Sequence, residues 1–426
     1  MTEQTNVPKL RFGEFEAEWT SNFLPKIAKI ERGKFTPRPR NNPIYYNGNI
    51  PFVQTSDVAN SNGYIRNFTQ TLNEKGLGVS KLFAENTVLI TIAANIGYTG
   101  VLQIPMACPD SLINLEPVNT DPYFLHFLLS THQRKMDNIA DPGAQKNVNK
   151  AFLNKYKVTY CLLPEQQKIA SFLSKVDEKI GLLSEKKDKL TEYKKGVMQQ
   201  LFNGKWHEQD GLLTFTPPTL RFKAGDGSEF PDWEEKTLGD IAQIKGRIGY
   251  RGYTVNDIVE HGGAIAFSPT NIVGGQLNYS KLTRISDFKY DESPEIQLKP
   301  QDILFVKTGS TYGKSAFVGE VKERSTINPQ IVVIKAEASK MSGYFLSRLL
   351  ITSNVKKQIE AFIVGGAIPT MSQEAMSKFD ISVPSLGEQA KMSNFLSSID
   401  RKIELANSEL EKAKEWKKGL LQQMFV

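Results

Sequence analysis

Along two stretches of the chain, apolar residues recur at alternating intervals of four and three. The first runs Ile169, Leu173, Val176, Ile180, Leu183, Lys187, Leu190, Lys194, Val197, Leu201. The second runs Met392, Leu396, Ile399, Ile403, Ala406, Leu410, Ala413, Lys417, Leu420, Met424. A seam of this period, sustained over about five heptads, predicts two long helices that each carry one apolar stripe. A helix of about 38 residues is about 57 Å long. Phe172 and Phe395 widen the stripe near each start, and Asn203-Gly204 stops the first helix. Lys187, Lys194 and Lys417 interrupt the apolar seam; they either snorkel at its edges or mark a docking point for a partner. Elsewhere the apolar runs are short. Segments 87–92, 302–307 and 330–335 read as strands between Gly, Pro and Asn turns, and 123–136 and 344–362 as helices.

The two seams are copies. Residues 165–202 align without a gap on 388–425, with about half the positions identical. The repeat continues outside the helices. Pro8-Lys9-Leu10-Arg11-Phe12 is echoed by Pro218-Thr219-Leu220-Arg221-Phe222, and each is followed by a tryptophan, Trp19 and Trp233. Ile50-Pro51-Phe52 is echoed by Ile265-Ala266-Phe267, Val88-Leu89-Ile90 by Ile303-Leu304-Phe305, and Tyr123-Phe124-Leu125 by Tyr344-Phe345-Leu346. Gly143-Ala144 matches Gly366-Ala367. Such a repeat means one supersecondary unit used twice. The expected fold class is α+β: two similar mixed α/β domains, at 8–163 and 218–386, separated by long helices at 164–204 and 387–426, with a linker at 205–217. One helix cannot bury its seam alone. Intramolecular pairing of the two as an antiparallel coiled coil, giving a pseudo-twofold object, is the expected closure; pairing with another molecule is the alternative.

Charge and composition narrow the partner. The 426 residues carry a formal net charge of +7, which favours an anionic partner, nucleic acid first. The N-terminus lacks a charged-then-apolar leader, and no apolar run approaches a bilayer span. With only two cysteines, Cys108 and Cys161, there is no disulfide framework, and the expectation is a cytoplasmic protein without a membrane partner. His126 and His132 lie six apart on one helix, off ligand spacing, and neither cysteine belongs to a CxxC pair, so no metal site is expected.

The alternating architecture resembles the specificity subunits of type I restriction–modification enzymes. The residues that carry the resemblance are Leu163-Pro164-Glu165-Gln166 and its echo Leu386-Gly387-Glu388-Gln389, which open helices ending in Lys-Lys-Gly and Gln-Gln-Leu/Met-Phe. Asp302-Ile303-Leu304 followed by Thr308-Gly309 and Tyr312-Gly313, and the stretch 143–147 before the first helix, match as well. The resemblance implies that each domain reads one half of a bipartite double-stranded DNA target, and that helix length sets the half-site spacing. It also implies docking of two methyltransferase subunits and two restriction/motor subunits. S-adenosylmethionine, ATP and Mg2+ would then be bound by those partners, with no cofactor and no catalysis in this chain.

Three stretches imitate catalytic motifs. Gly309–Ser315 resembles a phosphate-binding loop but has three residues between its glycines where four are needed. Asp121-Pro122-Tyr123-Phe124 resembles an amino-methyltransferase motif without its second proline, and reads better as a helix cap. Pro231-Asp232 with Glu234 and Lys236 has the letters of a nuclease site crowded into one short segment.

The candidate DNA-contacting residues fall at equivalent places in the halves. Arg32, Lys34, Arg38 and Arg40 lie among Gly, Pro and aromatic residues early in the first domain, and Lys245, Arg247, Tyr250 and Arg251 do so in the second. Neither stretch holds an acidic residue, which suits phosphate contact, and arginine also pairs two hydrogen bonds to guanine. A second set is Asn95, Tyr98, Gln145, Lys146 and Asn147, with Lys307, Thr308, Ser310, Tyr312 and Lys314 as counterparts. Tyr45, Tyr46 and Phe52 read as framework rather than base-stacking groups. The competing reading is a non-catalytic coiled-coil assembly module that binds protein or glycan.

Overall fold

The computed structural model describes residues 6–93, 95–139, 148–209, 212–216, 218, 220–361 and 370–426, with the backbone alone at 139, 205–209 and 212–216. The chain divides into two compact units, one of Met1–Glu185 with Ala406–Val426, the other of Lys186–Leu405. Each unit thus holds one mixed domain and a section of each long helix, Leu163–Phe202 and Leu386–Met424.

In the first unit, a five-stranded sheet has the order Ala28–Arg32, Leu112–Pro117, Val88–Thr91, Thr99–Leu102, Tyr64–Ile65. A four-stranded sheet has the order Gln70–Leu72, Tyr46–Phe52, Met106–Ala107, Leu82–Phe83. The second unit repeats the plan. Its four-stranded sheet runs Ala242–Gly246, Ile331–Ala336, Ile303–Val306, Ser315–Phe317, and its three-stranded sheet runs Thr283–Ile285, Ala264–Phe267, Ser325–Ile327. In both units the middle strand of the smaller sheet has one antiparallel and one parallel neighbour.

The continuous apolar runs follow from what lies on the two faces of the larger sheet. Alternate strand residues point to opposite faces. Val88 and Ile90 join the core that contains helix Pro122–Thr131 and the long-helix seam, whereas Leu89 joins a separate core beneath the smaller sheet. In the second unit Ile303 and Phe305 face the helices, and Leu304 and Val306 face the other way. A strand buried on both faces has no polar position to alternate with.

Three stretches differ in detail from the pattern-based expectation. Segment 123–136 is two helices, Pro122–Thr131 and Gln133–Ile139, broken at His132, whose ring packs 5.6 Å from Tyr156. Segment 344–362 breaks between Gly343–Leu349 and Ser353–Ala361, where the Thr352 hydroxyl donates to the Leu349 carbonyl at 2.7 Å and competes with the helical ladder. Lys205–Gln209 and Leu212–Thr216, within the stretch read as a linker, pair as an antiparallel hairpin.

Within each unit the two helix sections run antiparallel. In the first, Ile169, Leu173 and Val176 share a core with Leu420, Met424 and Phe425. In the second, Val197 and Leu201 share one with Met392 and Leu396. Leu183 and Ile180 are half-buried, as is Ile403, while Ile399 and Leu410 are buried. Two of the three seam lysines are ion-paired: Lys417 reaches Asp177 at 2.6 Å, and Lys194 binds Asp400. Burial pushes the Asp177 carboxyl above its usual range, with Lys417 opposing, and pushes Lys194 below its own, with Asp400 opposing. For these two, snorkelling to the edge is not needed, because each meets a carboxylate inside the pair; Lys187 is half-buried.

Each domain is fastened to its helix by a buried carboxylate. Glu165, in the first turn of its helix and 2 % exposed, accepts from Arg11 Nε at 2.7 Å, Arg11 Nη2 at 2.8 Å and Trp19 Nε1 at 3.3 Å. Glu388, fully buried, accepts from Arg221 Nε at 3.1 Å, Arg221 Nη2 at 2.8 Å and Trp233 Nε1 at 3.2 Å. The next residue completes the joint. Gln166 accepts from the Asp121 backbone N–H and donates to the Cys161 carbonyl; Gln389 accepts from the Ser342 N–H and donates to the Lys340 and Pro384 carbonyls. Removing one partner of a buried ion pair leaves the other charge unpaired. Glu165→Ala is expected to destabilise the first unit by about 3 kcal/mol and Glu388→Ala the second by a similar amount, measured by denaturant unfolding with hydrogen exchange to assign the unit. A change under about 1 kcal/mol in either would contradict the role given to the carboxylate.

The first unit also buries His126 and half-buries His132. The Cβ position of Gly63, at φ +93°, lies 2.3 Å from His126 Nε2, so a side chain there would displace the ring. His126 Nδ1 lies 2.9 Å from Thr99 Oγ1. Burial, with Lys417 nearby, pushes His126 down to about 3, and burial with Lys135 nearby pushes His132 down to about 4. Below a pH of about 6.5 the unfolded chain takes up protons that the folded unit refuses, so stability falls as pH falls. At pH 5 the two together are expected to cost about 4 kcal/mol. His261 in the second unit is exposed. Hydrogen exchange from pH 7 to 5 should show the first unit opening before the second, and equal acid sensitivity would contradict this.

Candidate nucleic-acid interface

The imitation motifs resolve into ordinary structure. Strand Ile303–Val306 is followed by a turn with Gly309 at φ +100° and Gly313 at φ +80°, and then by the antiparallel strand Ser315–Phe317. No helix N-terminus follows, so the phosphate cradle of a nucleotide-binding loop is not built. Asp121 caps helix Pro122–Thr131, accepting from the N–H groups of Tyr123 and Phe124. Glu234 pairs with Lys236 along an edge strand, and Asp232 lies 3.5 Å from Arg221. Among the described residues, no three His, Cys, Asp or Glu side chains are grouped to hold a metal ion.

The basic stretch of the first domain is brought to one place. Gly33 passes so close to the chain at Pro109 that a Cβ would lie 2.1 Å from the Pro109 carbonyl oxygen. That approach sets Asp110 among the arginines. Arg32 Nε donates to the Asp110 carbonyl at 2.7 Å, Arg38 reaches one Asp110 carboxylate oxygen at 3.3 Å, and Arg40 reaches the other at 2.6 Å. Arg38 and Arg40 keep 57 % and 48 % of their side chains exposed. Surface pairs of this kind are worth little and exchange readily for a phosphate. Lys34 is exposed beside them.

The second domain divides its stretch differently. Arg247 does not reach the surface. At 5 % exposure its guanidinium donates to the Ile327 and Arg251 carbonyls and to Thr326 Oγ1, each at 3.2 Å, and stacks 5.4 Å from Tyr253. It therefore holds the loop together from within, which corrects the expectation of a DNA-facing arginine. Lys245 is half-buried on strand Ala242–Gly246. Tyr250 is 79 % exposed, with Arg251 5.5 Å from its ring and 3.6 Å from Glu295.

In the second set, Asn95 and Tyr98 are exposed on the turn after Val88–Thr91, with Gly97 at φ +81°. Gln145, Lys146 and Asn147 lie outside the described residues. Lys307 and Thr308 border the segment beginning at Thr370: the Thr308 and Thr370 hydroxyls are hydrogen-bonded, and Met371 N–H donates to the Lys307 carbonyl. Ser310 and Lys314 are exposed on the hairpin turn, whereas Tyr312 packs against the core with its hydroxyl buried.

Sequence reading missed a concavity beside Arg40 in the first domain. Phe35, Tyr46, Phe52, Gln54, Phe68 and Gln70 line it, with a volume of about 470 Å³. Tyr45, Tyr46 and Phe52 pack on Phe35, with ring centroids 6.1, 5.8 and 5.1 Å away, and Tyr46 and Phe52 also line the recess. No helix among the described residues is long and apolar enough to cross a membrane.

Two related domains, each fastened to a long helix by the same joint and each carrying a different basic outer loop, define a DNA-reading scaffold. The model of the type I restriction modification DNA specificity domain matches residues 16–192 and again 231–415, and the chain belongs to that family. It is the non-catalytic, DNA-binding specificity component of a type I restriction–modification enzyme. Among its relatives, the type I restriction enzyme MjaVIII specificity subunit of Methanocaldococcus jannaschii is 23 % identical over 332 residues, 76 % of this chain and 73 % of the relative. The putative MjaX specificity subunit of the same organism is 23 % identical over 439 residues, 98 % of this chain and 95 % of the relative. The crystal structure of a type I S subunit from M. genitalium superposes with a TM-score of 0.59 at 16 % identity, covering 99 % of both chains.

The two arginine environments lead to opposite expectations. Arg247→Ala should destabilise the second unit by about 2 kcal/mol, measured by denaturant unfolding, because it removes charged hydrogen bonds from a buried site. Arg38→Gln with Arg40→Gln should leave stability within about 0.5 kcal/mol but lower the slope of log affinity against log salt by up to about 2 on target DNA. An unchanged slope would remove both arginines from the interface.

Proposed function

We propose that each unit reads one half of a bipartite duplex DNA target, and that two copies of a methyltransferase subunit and two copies of a restriction/motor subunit assemble on this chain. The observation that carries the proposal is the repeated joint. Glu165-Gln166 and Glu388-Gln389 fix both domains to their helices in the same way, while the loops on the far side differ in sequence and in which arginines they expose. A scaffold held constant beneath outer faces that differ is what reading two unlike half-sites requires. Phosphate contacts from Arg38, Arg40 and Arg251 would position the DNA, and base edges would supply the sequence information.

The paired stoichiometry has its own support. Leu182 and Leu405, at the same repeat position, are 60 % and 64 % exposed, and Tyr193 and Trp416, another such pair, are 55 % and 49 % exposed. Exposed apolar residues duplicated on a repeat suit two copies of one partner. S-adenosylmethionine, ATP and Mg2+ belong to those partners in this reading, and the complex works in the cytoplasm.

Co-expression with the cognate methyltransferase in a host free of adenine methylation, followed by mapping of methyladenine, tests it. The expected motif has two specified parts separated by unspecified bases. Exchanging the first domain for that of a relative should change one part and leave the other. A single uninterrupted motif would sink the bipartite reading.

A further inference from the structure

The concavity in the first unit is assembled from chemistry that suits one flat, hydrogen-bonding ring. Strand Tyr46–Phe52 pairs with Gln70–Leu72, which places Phe52 opposite Gln70. Phe52 is buried and forms the floor, Tyr46 is half-buried, and Phe68 is 37 % exposed at the mouth. Tyr46 is held in place by donating its hydroxyl to the Arg40 carbonyl at 2.5 Å. The loops on the two sides are stitched by one carboxylate: Asp57 accepts from the Gln54 N–H at 2.8 Å and from the Thr69 N–H and hydroxyl at 3.3 and 3.2 Å.

Gln54 gives the site its polarity. It stands at the start of helix Thr55–Asn60, where its backbone N–H donates to the Asp57 carboxylate, and its side chain lines the recess. The amide nitrogen is buried and has no hydrogen-bond partner. A side-chain amide carries both a donor and an acceptor, so small rotations of Gln54 can present either to the edge of a base. Arg40 stands at the rim, half exposed, in the position to hold a phosphate attached to whatever enters, and Arg38 shares its Asp110 partner. In the second domain the equivalent cap is Ser268, whose N–H and hydroxyl both donate to Asn271, so no amide stands at that place.

A duplex groove is itself concave and receives a protruding element, whereas a recess with aromatic walls receives a single base taken out of the stack. We infer that this recess is a binding site for one unstacked nucleobase of the target, which lies against Tyr46 and Phe68 with its hydrogen-bonding edge toward the Gln54 side-chain amide. The inference rests on the DNA-reading function proposed above and adds an extrahelical base to it. Enzymes that methylate bases unstack them from the duplex, and one base of the opened pair is then left without a partner. Such an unpaired base is the class of ligand that the recess fits.

The test uses the assembled complex with its methyltransferase and duplexes of the mapped target. Each duplex carries one mismatch or one abasic site, and affinity is read by fluorescence anisotropy. A base held outside the stack binds more tightly once its pairing is already lost. One mismatched position in the half-site of the first domain is expected to tighten binding on the order of tenfold, and an abasic site at that position to abolish the gain. Phe68→Ala and Gln54→Ala should each lose most of the gain while still discriminating the other half-site, which shows that the complex is folded. If every mismatch weakens binding in wild type while sequence specificity is intact, the recess holds no base and the DNA-reading function stands. If neither half-site is discriminated, the DNA-reading function fails and the recess proposal fails with it.

Discussion

A carboxylate taken out of water must be surrounded by donors, and the architecture turns on two of them. Glu165 and Glu388 each receive an arginine fork and a tryptophan N–H contributed by residues at least 146 positions earlier in the chain. The arginine approaches with two parallel hydrogen bonds, so it fixes an angle as well as a distance. The neighbouring glutamine then binds backbone groups on the strand-to-helix connection and at the start of a domain helix. Domain and helix are thereby joined by directional bonds, which apolar packing alone cannot supply, because packing is indifferent to small rotations.

With the joint fixed, the larger sheet of each domain is buried twice. One face rests on the helices and the other on the smaller sheet. The framework is therefore confined to positions with no solvent exposure, where only size and apolarity matter. The loops beyond the smaller sheet carry no such load. Their residues are free to differ between the halves, as the caps Gln54 and Ser268 do, without disturbing the packing below.

The architecture was legible because it is written in periodic patterns. The four-and-three spacing located both long helices, and the repeat showed that the chain has two halves. Contacts between distant segments left weaker traces. Lys194 and Lys417 stood out as polar residues on an apolar seam, but their partners Asp400 and Asp177 are more than 200 positions away, and no local pattern links them. Arg247 illustrates a different limit. A basic residue in a Gly-rich loop looks the same in sequence whether it faces solvent or, as here, closes a loop from inside. Gln54 and Phe68 were missed because the recess draws on several separate segments, each unremarkable by itself.

Asp110 has a consequence of its own. One carboxylate shared between Arg38 and Arg40 leaves the cluster with a smaller net positive charge than two free arginines would have. Attraction to any phosphate backbone, whatever its sequence, is reduced accordingly, because that attraction scales with the phosphates neutralised. A chromosome offers vastly more wrong sites than right ones, and time spent on them is lost to the search. In the DNA-facing role proposed for the cluster, an acidic residue among the arginines would shorten each fruitless visit, giving up grip on DNA in general for speed in finding the target.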